Sequence, residues 1–133
     1  MDSIVKSVPN SFPEVVFPLK NKTYIIRNMN YPKEDLGRIV MNFNEDKCTL
    51  YLKKNYCGLH PNWLMSEWSS RGRTVIDGED AMYWLQKRVC PPGRQNIREV
   101  LKSHGLSSYN ATVMIAHGKG ICDWDDLWLE EII

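Results

Sequence analysis

Two consecutive prolines and a glycine, Pro91-Pro92-Gly93, interrupt the most strongly patterned stretch of the chain, residues 84 to 106. Proline lacks the amide proton that a helix interior needs, and its ring pushes the preceding residue, Cys90, out of the α region. Any helix upstream must stop at Cys90, and any helix downstream must start afresh beyond Gly93. Upstream, Asp77 and Asp80 form a weak capping box, and Met82, Leu85 and Val89 make one apolar stripe with Tyr83 and Trp84 beside it. Downstream, the spacing predicts a helix from near Arg94 to His104, with Gly105 at the position where a left-handed backbone costs least. Its inward face is Ile97, Val100, Leu101 and His104. Arg94, Arg98 and Lys102, four residues apart, make a basic ribbon beside that face.

The rest of the second half is also helical in pattern. "HPNWLMSEWSSRG" puts Pro61 at a first helical position and Trp63, Leu64 and Trp68 on one side before Gly72 ends it. "SYNATVMIAHG" follows Ser107 or Ser108 as its cap and closes on Gly118. The first half reads as β instead: Val15 to Leu19, Lys22 to Arg27, Arg38 to Phe43 and Cys48 to Lys53 are short runs rich in Val, Ile, Tyr and Thr, divided by Asn-rich turns. "RIVMNFNEDKCTLYLKK" is the clearest hairpin, alternating on both sides of a short polar turn. The expectation is an α+β fold, with a small antiparallel β-meander in the N-terminal half and three to four short helices in the C-terminal half. Residues 1–133 form a single domain with no linker or repeat.

Composition fits that size. The chain has 133 residues, 43% hydrophobic and 25% charged, enough to bury one core without staples. No apolar run approaches the roughly 20 residues that span a bilayer, and Asp2 stands where a secretory leader wants basic residues, so a cytoplasmic protein with no membrane contact is expected. Cys48, Cys57, Cys90 and Cys122 are irregularly spaced with no CxxC pair, which favours thiols over bridges. The net charge of +1 announces no nucleic-acid binder, but its distribution is uneven. Residues 87 to 102 hold Lys87, Arg88, Arg94, Arg98 and Lys102 against Glu99, whereas Asp123, Asp125, Asp126, Glu130 and Glu131 follow with no base among them.

Catalytic signatures are missing: the chain has no G-x-S-x-G, no H-E-x-x-H and no phosphate loop, and Gly118-Lys119-Gly120 reads as a turn. Cys57 with His60 gives two zinc-capable groups that lack two further ligands at fixed spacing. Cys90 with His104 or His117 is the one nucleophile and base that can be proposed, and no third residue orients it. The Asp123, Asp125 and Asp126 cluster lacks the glycine and glutamate of a calcium loop. No enzyme, metal or cofactor is therefore expected. "REVLKSHGLSSYNATVMIAHG" has the outline of a helix-turn-helix, with Tyr109, Asn110 and Thr112 opening the recognition helix and Arg94, Arg98 and Lys102 on phosphates. A recognition helix with only His117 and Lys119 as basic groups holds a duplex poorly, so DNA binding is the alternative rather than the main reading. Five tryptophans, Trp63, Trp68, Trp84, Trp124 and Trp128, supply core material and, for one or two of them, interface anchors.

Trp84, Leu85, Arg88, Pro91, Arg94, Ile97, Leu101, Gly105 and Leu106, followed by Gly120 and the "DDLW" of Asp125 to Trp128, form a spaced pattern over residues 77 to 131. It resembles the region ahead of the kinase core in HipA-like serine/threonine kinases of bacteria, and related small stand-alone proteins. The resemblance implies an accessory module that packs on or regulates a kinase-like chain, with the arginine-proline-arginine turn and the closing aspartate-tryptophan segment as anchors of the fold. Arg88 and Arg94 flank the turn and are in reach of the carboxylates of Asp123, Asp125 or Asp126, which makes them fold-fixing. Arg98, Lys102 and an exposed tryptophan, Trp63 or Trp68, are left as partner contacts. The expected function is that of a non-enzymatic protein-binding module. It is either an accessory or antitoxin-like subunit of a HipA-like kinase, or a phage-encoded inhibitor of a host defence protein such as a nuclease.

Overall fold

A computed structural model describes residues 11–53 and 62–133. Pro61, Cys57 and His60 lie outside them. In chain order the elements are β1 (Lys22–Asn28), β2 (Tyr31–Asn42), β3 (Lys47–Leu52), α1 (Trp63–Ser70), β4 (Val75–Ile76), α2 (Gly78–Gln86), α3 (Ile97–Ser103), α4 (Ala111–Ala116) and β5 (Leu127–Glu131). The five strands make one antiparallel sheet in the order β4-β3-β2-β1-β5. The fold is α+β.

Alternation builds the sheet. Tyr24 and Ile26 of β1, Ile39 and Met41 of β2, Cys48, Leu50 and Leu52 of β3, Ile76 of β4 and Leu127 and Leu129 of β5 are buried together on one face. Met65 and Trp68 of α1, Ala81, Trp84 and Leu85 of α2 and most of α4 complete that core. Two turns tie the meander. Asn28 accepts from the Asn30 amide on its Oδ1 at 3.0 Å, and Asn42 does the same for Glu45 at 3.1 Å. In β2 the phase slips: Ile25 faces Arg38 while Arg27 faces Asp35, so Leu36 and Gly37 together oppose one residue of β1. This bulge buries Leu36 out of step with Ile39 and Met41. Gly37 has φ of 141°, and a Cβ there would strike the Tyr51 carbonyl, so only glycine fits.

Several expectations change here. The acidic C-terminal segment, to which pattern assigned no element, forms β5 and pairs with β1 about a hundred positions earlier. Val15 to Leu19 forms no strand and joins no sheet, because Pro13 and Pro18 remove donors that a ladder needs. Residues 11–20 instead form a strap across α3 and α4: the Phe12 amide donates to the Ser103 carbonyl at 2.8 Å and Val15 to Gly105 at 2.9 Å. Farther on, the strap is clamped by Asn44, which accepts from the Leu19 amide and donates to its carbonyl, both at 2.8 Å. The α4 cap is Asn110, not Ser107 or Ser108, and its Oδ1 accepts from the Val113 amide at 3.0 Å. The Asp77–Asp80 capping box is not made, since Asp80 pairs with Arg73 at 3.0 Å. Helix α3 begins at Ile97; Arg94 precedes it in the turn, its amide donating to the Pro91 carbonyl at 3.2 Å.

Candidate functional site

The last turn of α2 carries the densest chemistry. Tyr83 and Lys87, and Trp84 and Arg88, are four residues apart, so each cation folds back over an aromatic ring. The Lys87 Nζ lies 4.7 Å from the Tyr83 ring centre and 4.8 Å from that of Trp124, held between the two. The Arg88 guanidinium sits 4.2 Å above Trp84. Two cation–aromatic contacts thus face outward and one inward.

The inward one is the hub. The Arg88 Nη2 meets the Asp125 Oδ2 at 2.5 Å, and both side chains are only 1% exposed. Arg88 Nη1 donates to the Gly120 carbonyl at 2.9 Å and lies 3.4 Å from the Cys122 sulfur. Asp125 also accepts from Asn62 Nδ2 at 2.7 Å and from the Leu127 amide at 3.0 Å. The Asn62 Oδ1 meanwhile caps α1 through the Met65 amide at 3.1 Å. A single carboxylate therefore joins the start of α1, the end of α2 and the start of β5. Charge taken out of water needs such a full set of partners.

Around this hub the surface is aromatic. Trp63 is 62% exposed and Trp124 68%, while Tyr83 stands half out of the surface. Trp63 and Trp124 rim a cleft of about 20 Å³ whose other walls include Trp84, Lys87, Arg88 and Asp125, and Tyr83 stands beside it on the far side of Lys87. The Trp84 Nε1 and Arg88 Nε, both buried, have no hydrogen-bond partner among the described residues.

The sequence-predicted residues divide sharply. Arg88 and Asp125 come together as described. Arg94 does not join them: it stands in the exposed run 91–96 and makes no ion pair among the described residues. Asp126 is bound by Asn30 instead, which donates to its Oδ2 at 2.8 Å, and Asp123 is exposed. Trp68 is 6% exposed and packs in the core, so it cannot meet a partner as expected; an inward α1 position took it. Trp124 takes its place beside Trp63, a residue that pattern alone left among five equivalent tryptophans. Arg98 and Lys102 are exposed on α3.

The other chemistry resolves differently. Cys90 has no base among the described residues: its thiol donates to the Pro91 carbonyl at 3.7 Å, and His104 and His117 bond to each other, Nδ1 to Nδ1 at 2.9 Å. Among the described residues no cluster of three His, Cys, Asp or Glu side chains converges on a point. The helix-turn-helix alternative fails on burial. Ala111 to Ile115 are all buried. Asn110 Nδ2 is spent on the Phe43 carbonyl at 2.8 Å, Thr112 Oγ1 on the Asn110 Oδ1 at 2.7 Å and the Tyr109 hydroxyl on the Cys90 carbonyl at 2.9 Å. Nothing on α4 is left to read a base edge. Among the described residues no helix is long and apolar enough to cross a membrane. Comparison with protein-family models, with curated proteins and with solved structures finds no match.

Proposed function

We propose that this chain is a non-enzymatic protein-binding module whose docking surface is the aromatic rim of Trp63, Tyr83 and Trp124. The observation that carries the reading is the pairing of these exposed rings with a buried polar hub immediately beneath them. Exposed aromatics on a mobile base give up orientational freedom on binding; here Lys87 is clasped between two of the rings and Arg88–Asp125 fixes both chain segments that present them. Large rigid aromatics beside an arginine have the make-up of interface hot spots. The resemblance of residues 77–131 to the region preceding the HipA-like kinase core points to a kinase-like chain as partner; a host defence nuclease bound by a phage-encoded inhibitor is the other class. Arg98 and Lys102 add a basic ribbon for a partner that reaches α3.

The test is copurification with a tagged chain in the organism that encodes it, with nuclease present, beside Trp63→Ala/Trp124→Ala and Arg98→Glu/Lys102→Glu variants. The reading expects one protein in equal stoichiometry with the wild type, lost with the tryptophan variant. A partner retained in full by the tryptophan variant, or recovery of nucleic acid alone before nuclease and nothing after, overturns it.

A further inference from the structure

The strap of residues 11–20 is fastened at one end by an unusual contact. His104 ends α3 and His117 ends α4, and their rings are within 7° of parallel with centres 5.1 Å apart. With Nδ1 to Nδ1 at 2.9 Å, that separation equals the hydrogen bond plus one ring radius at each end, so the imidazoles lie edge to edge, nitrogen facing nitrogen. Phe12 covers the pair, 3.8 Å above His117 with the planes 8° apart, and 5.7 Å from His104. Beside it, Gly105 makes room for the strap: a Cβ there would collide with the Pro13 carbonyl.

Proton counting determines what the pair tolerates. With both rings neutral, one Nδ1–H donates to the other Nδ1. A first added proton, on the donor ring's Nε2, strengthens that bond. A second must go to the accepting Nδ1, which sets two N–H groups head to head at hydrogen-bond distance. The bond then breaks and the two cations repel. We propose that the strap is an acid-released clasp: double protonation of the His104–His117 pair drives the rings apart, dislodges Phe12 and lifts the N-terminal end of the strap from α3 and α4, while Asn44 keeps its hold on Leu19.

The surroundings give the second charge little relief. The strap brings Glu14 and Lys20 alongside, α3 brings Lys102 and β1 brings Lys22, which is held by Glu131 at 3.4 Å, while α4 has no charged side chain. Glu14 makes no hydrogen bond to either ring. Burial lowers the affinity of both imidazoles for a proton below the ordinary 6.5, and for His117 the neighbouring His104 lowers it further. With the folded value depressed, the open form binds more protons, so closure is complete above about pH 6.5 and weakens as pH falls below it. Grooves of about 410 and 390 Å³ flank the strap, and lifting it bares Phe43, Val113 and Ala116. None of these groups belongs to the aromatic rim, so the clasp stands or falls independently of the docking reading.

Amide hydrogen exchange of the full chain at about pH 7.5 and about pH 5, corrected for intrinsic rates, reads the strap directly. Protection of the Phe12 and Val15 amides is expected to fall about tenfold or more, while Ile26 and Leu50 in the sheet hold theirs. In His104→Gln/His117→Gln the dependence on pH disappears. Should that variant not fold, nitrogen-15 titration of the wild-type imidazoles decides: two coupled steps, the second well below the first, are expected. Equal protection at both pH values, an unchanged dependence in the variant, or two imidazoles titrating independently near 6.5 overturns the clasp.

Discussion

Truncating Asp125 to alanine removes the acceptor on which three elements converge. Its carboxylate takes Arg88 at 2.5 Å, Asn62 at 2.7 Å and the Leu127 amide at 3.0 Å. Without it the guanidinium stays buried with the Gly120 carbonyl as its one oxygen partner among the described residues. Breaking a buried pair from one side costs about 3–5 kcal/mol because a charge is left uncompensated. The orphaned Leu127 amide alone would cost about 1–3 kcal/mol, but the two overlap and are not summed. The expected loss is about 4 kcal/mol, on the order of a third or more of the stability of a domain this size, and a fall in Tm of about 10–20 °C. Urea unfolding followed by tryptophan fluorescence measures it as a lower midpoint. Arg88→Met/Asp125→Leu removes both charges and leaves an apolar filling, so its loss should fall short of the sum of the Arg88→Met and Asp125→Leu losses by about 2–3 kcal/mol or more. An Asp125→Ala cost below about 1 kcal/mol, or single effects that simply add in the double variant, would refute this account of the hub.

The tryptophans separate core from surface. Trp68→Ala should cost about 3–5 kcal/mol and Trp63→Ala no more than about 0.5 kcal/mol in the same unfolding measurement; equal costs would contradict the placement of α1. Burial, and secondarily Asp46, pushes the Cys48 thiol up to about 12. At about pH 8 it is therefore protonated and shielded, so a thiol reagent should reach it only at the rate of unfolding; labelling as fast in buffer as in denaturant refutes its burial.

The sequence made some of this legible and not the rest, for physical reasons. The β2–β3 hairpin was readable because period-two alternation flanks a polar turn, and Pro91-Pro92-Gly93 marked the break between α2 and α3. Helix α4 was readable as a helix but not as a buried one: Tyr109, Asn110 and Thr112 are polar, and they are turned inward by bonds of the Tyr109 hydroxyl to Cys90, the Asn110 amide group to Phe43 and the Thr112 hydroxyl to Asn110. The fifth strand escaped because "LWLEE" alternates only between leucines and a mixture of tryptophan and acids. Arg88 stood out from Arg94 in no local pattern. What separates them is that Arg88 follows directly on the end of α2, four residues after Trp84, while Arg94 lies beyond the prolines. Trp124, with no periodic neighbours, carried no signal of its role.

The same ambiguity in β5 explains why a buried ion pair sits beside it. A slip of one residue against β1 would turn Trp128 and Glu130 inward and Leu127 and Leu129 out. Because Trp128 is itself apolar, hydrophobic pattern opposes that slip only weakly. Asp125 opposes it by geometry: its Oδ1 holds the Leu127 amide while Arg88 fixes its Oδ2, and the Asp126 carbonyl accepts from Met29 at 2.8 Å in the β1–β2 turn. These contacts fix the register of β5 at its first pair, Leu127 with Asn28. Since Trp124 lies in the same short segment, the polar hub that aligns the strand also fixes one wall of the aromatic rim. Asp125→Ala should therefore weaken partner binding even at temperatures where the chain remains folded. Trp128→Phe, which keeps an apolar ring on the sheet's other face and leaves Asp125 in place, should weaken neither the strand register nor the docking surface.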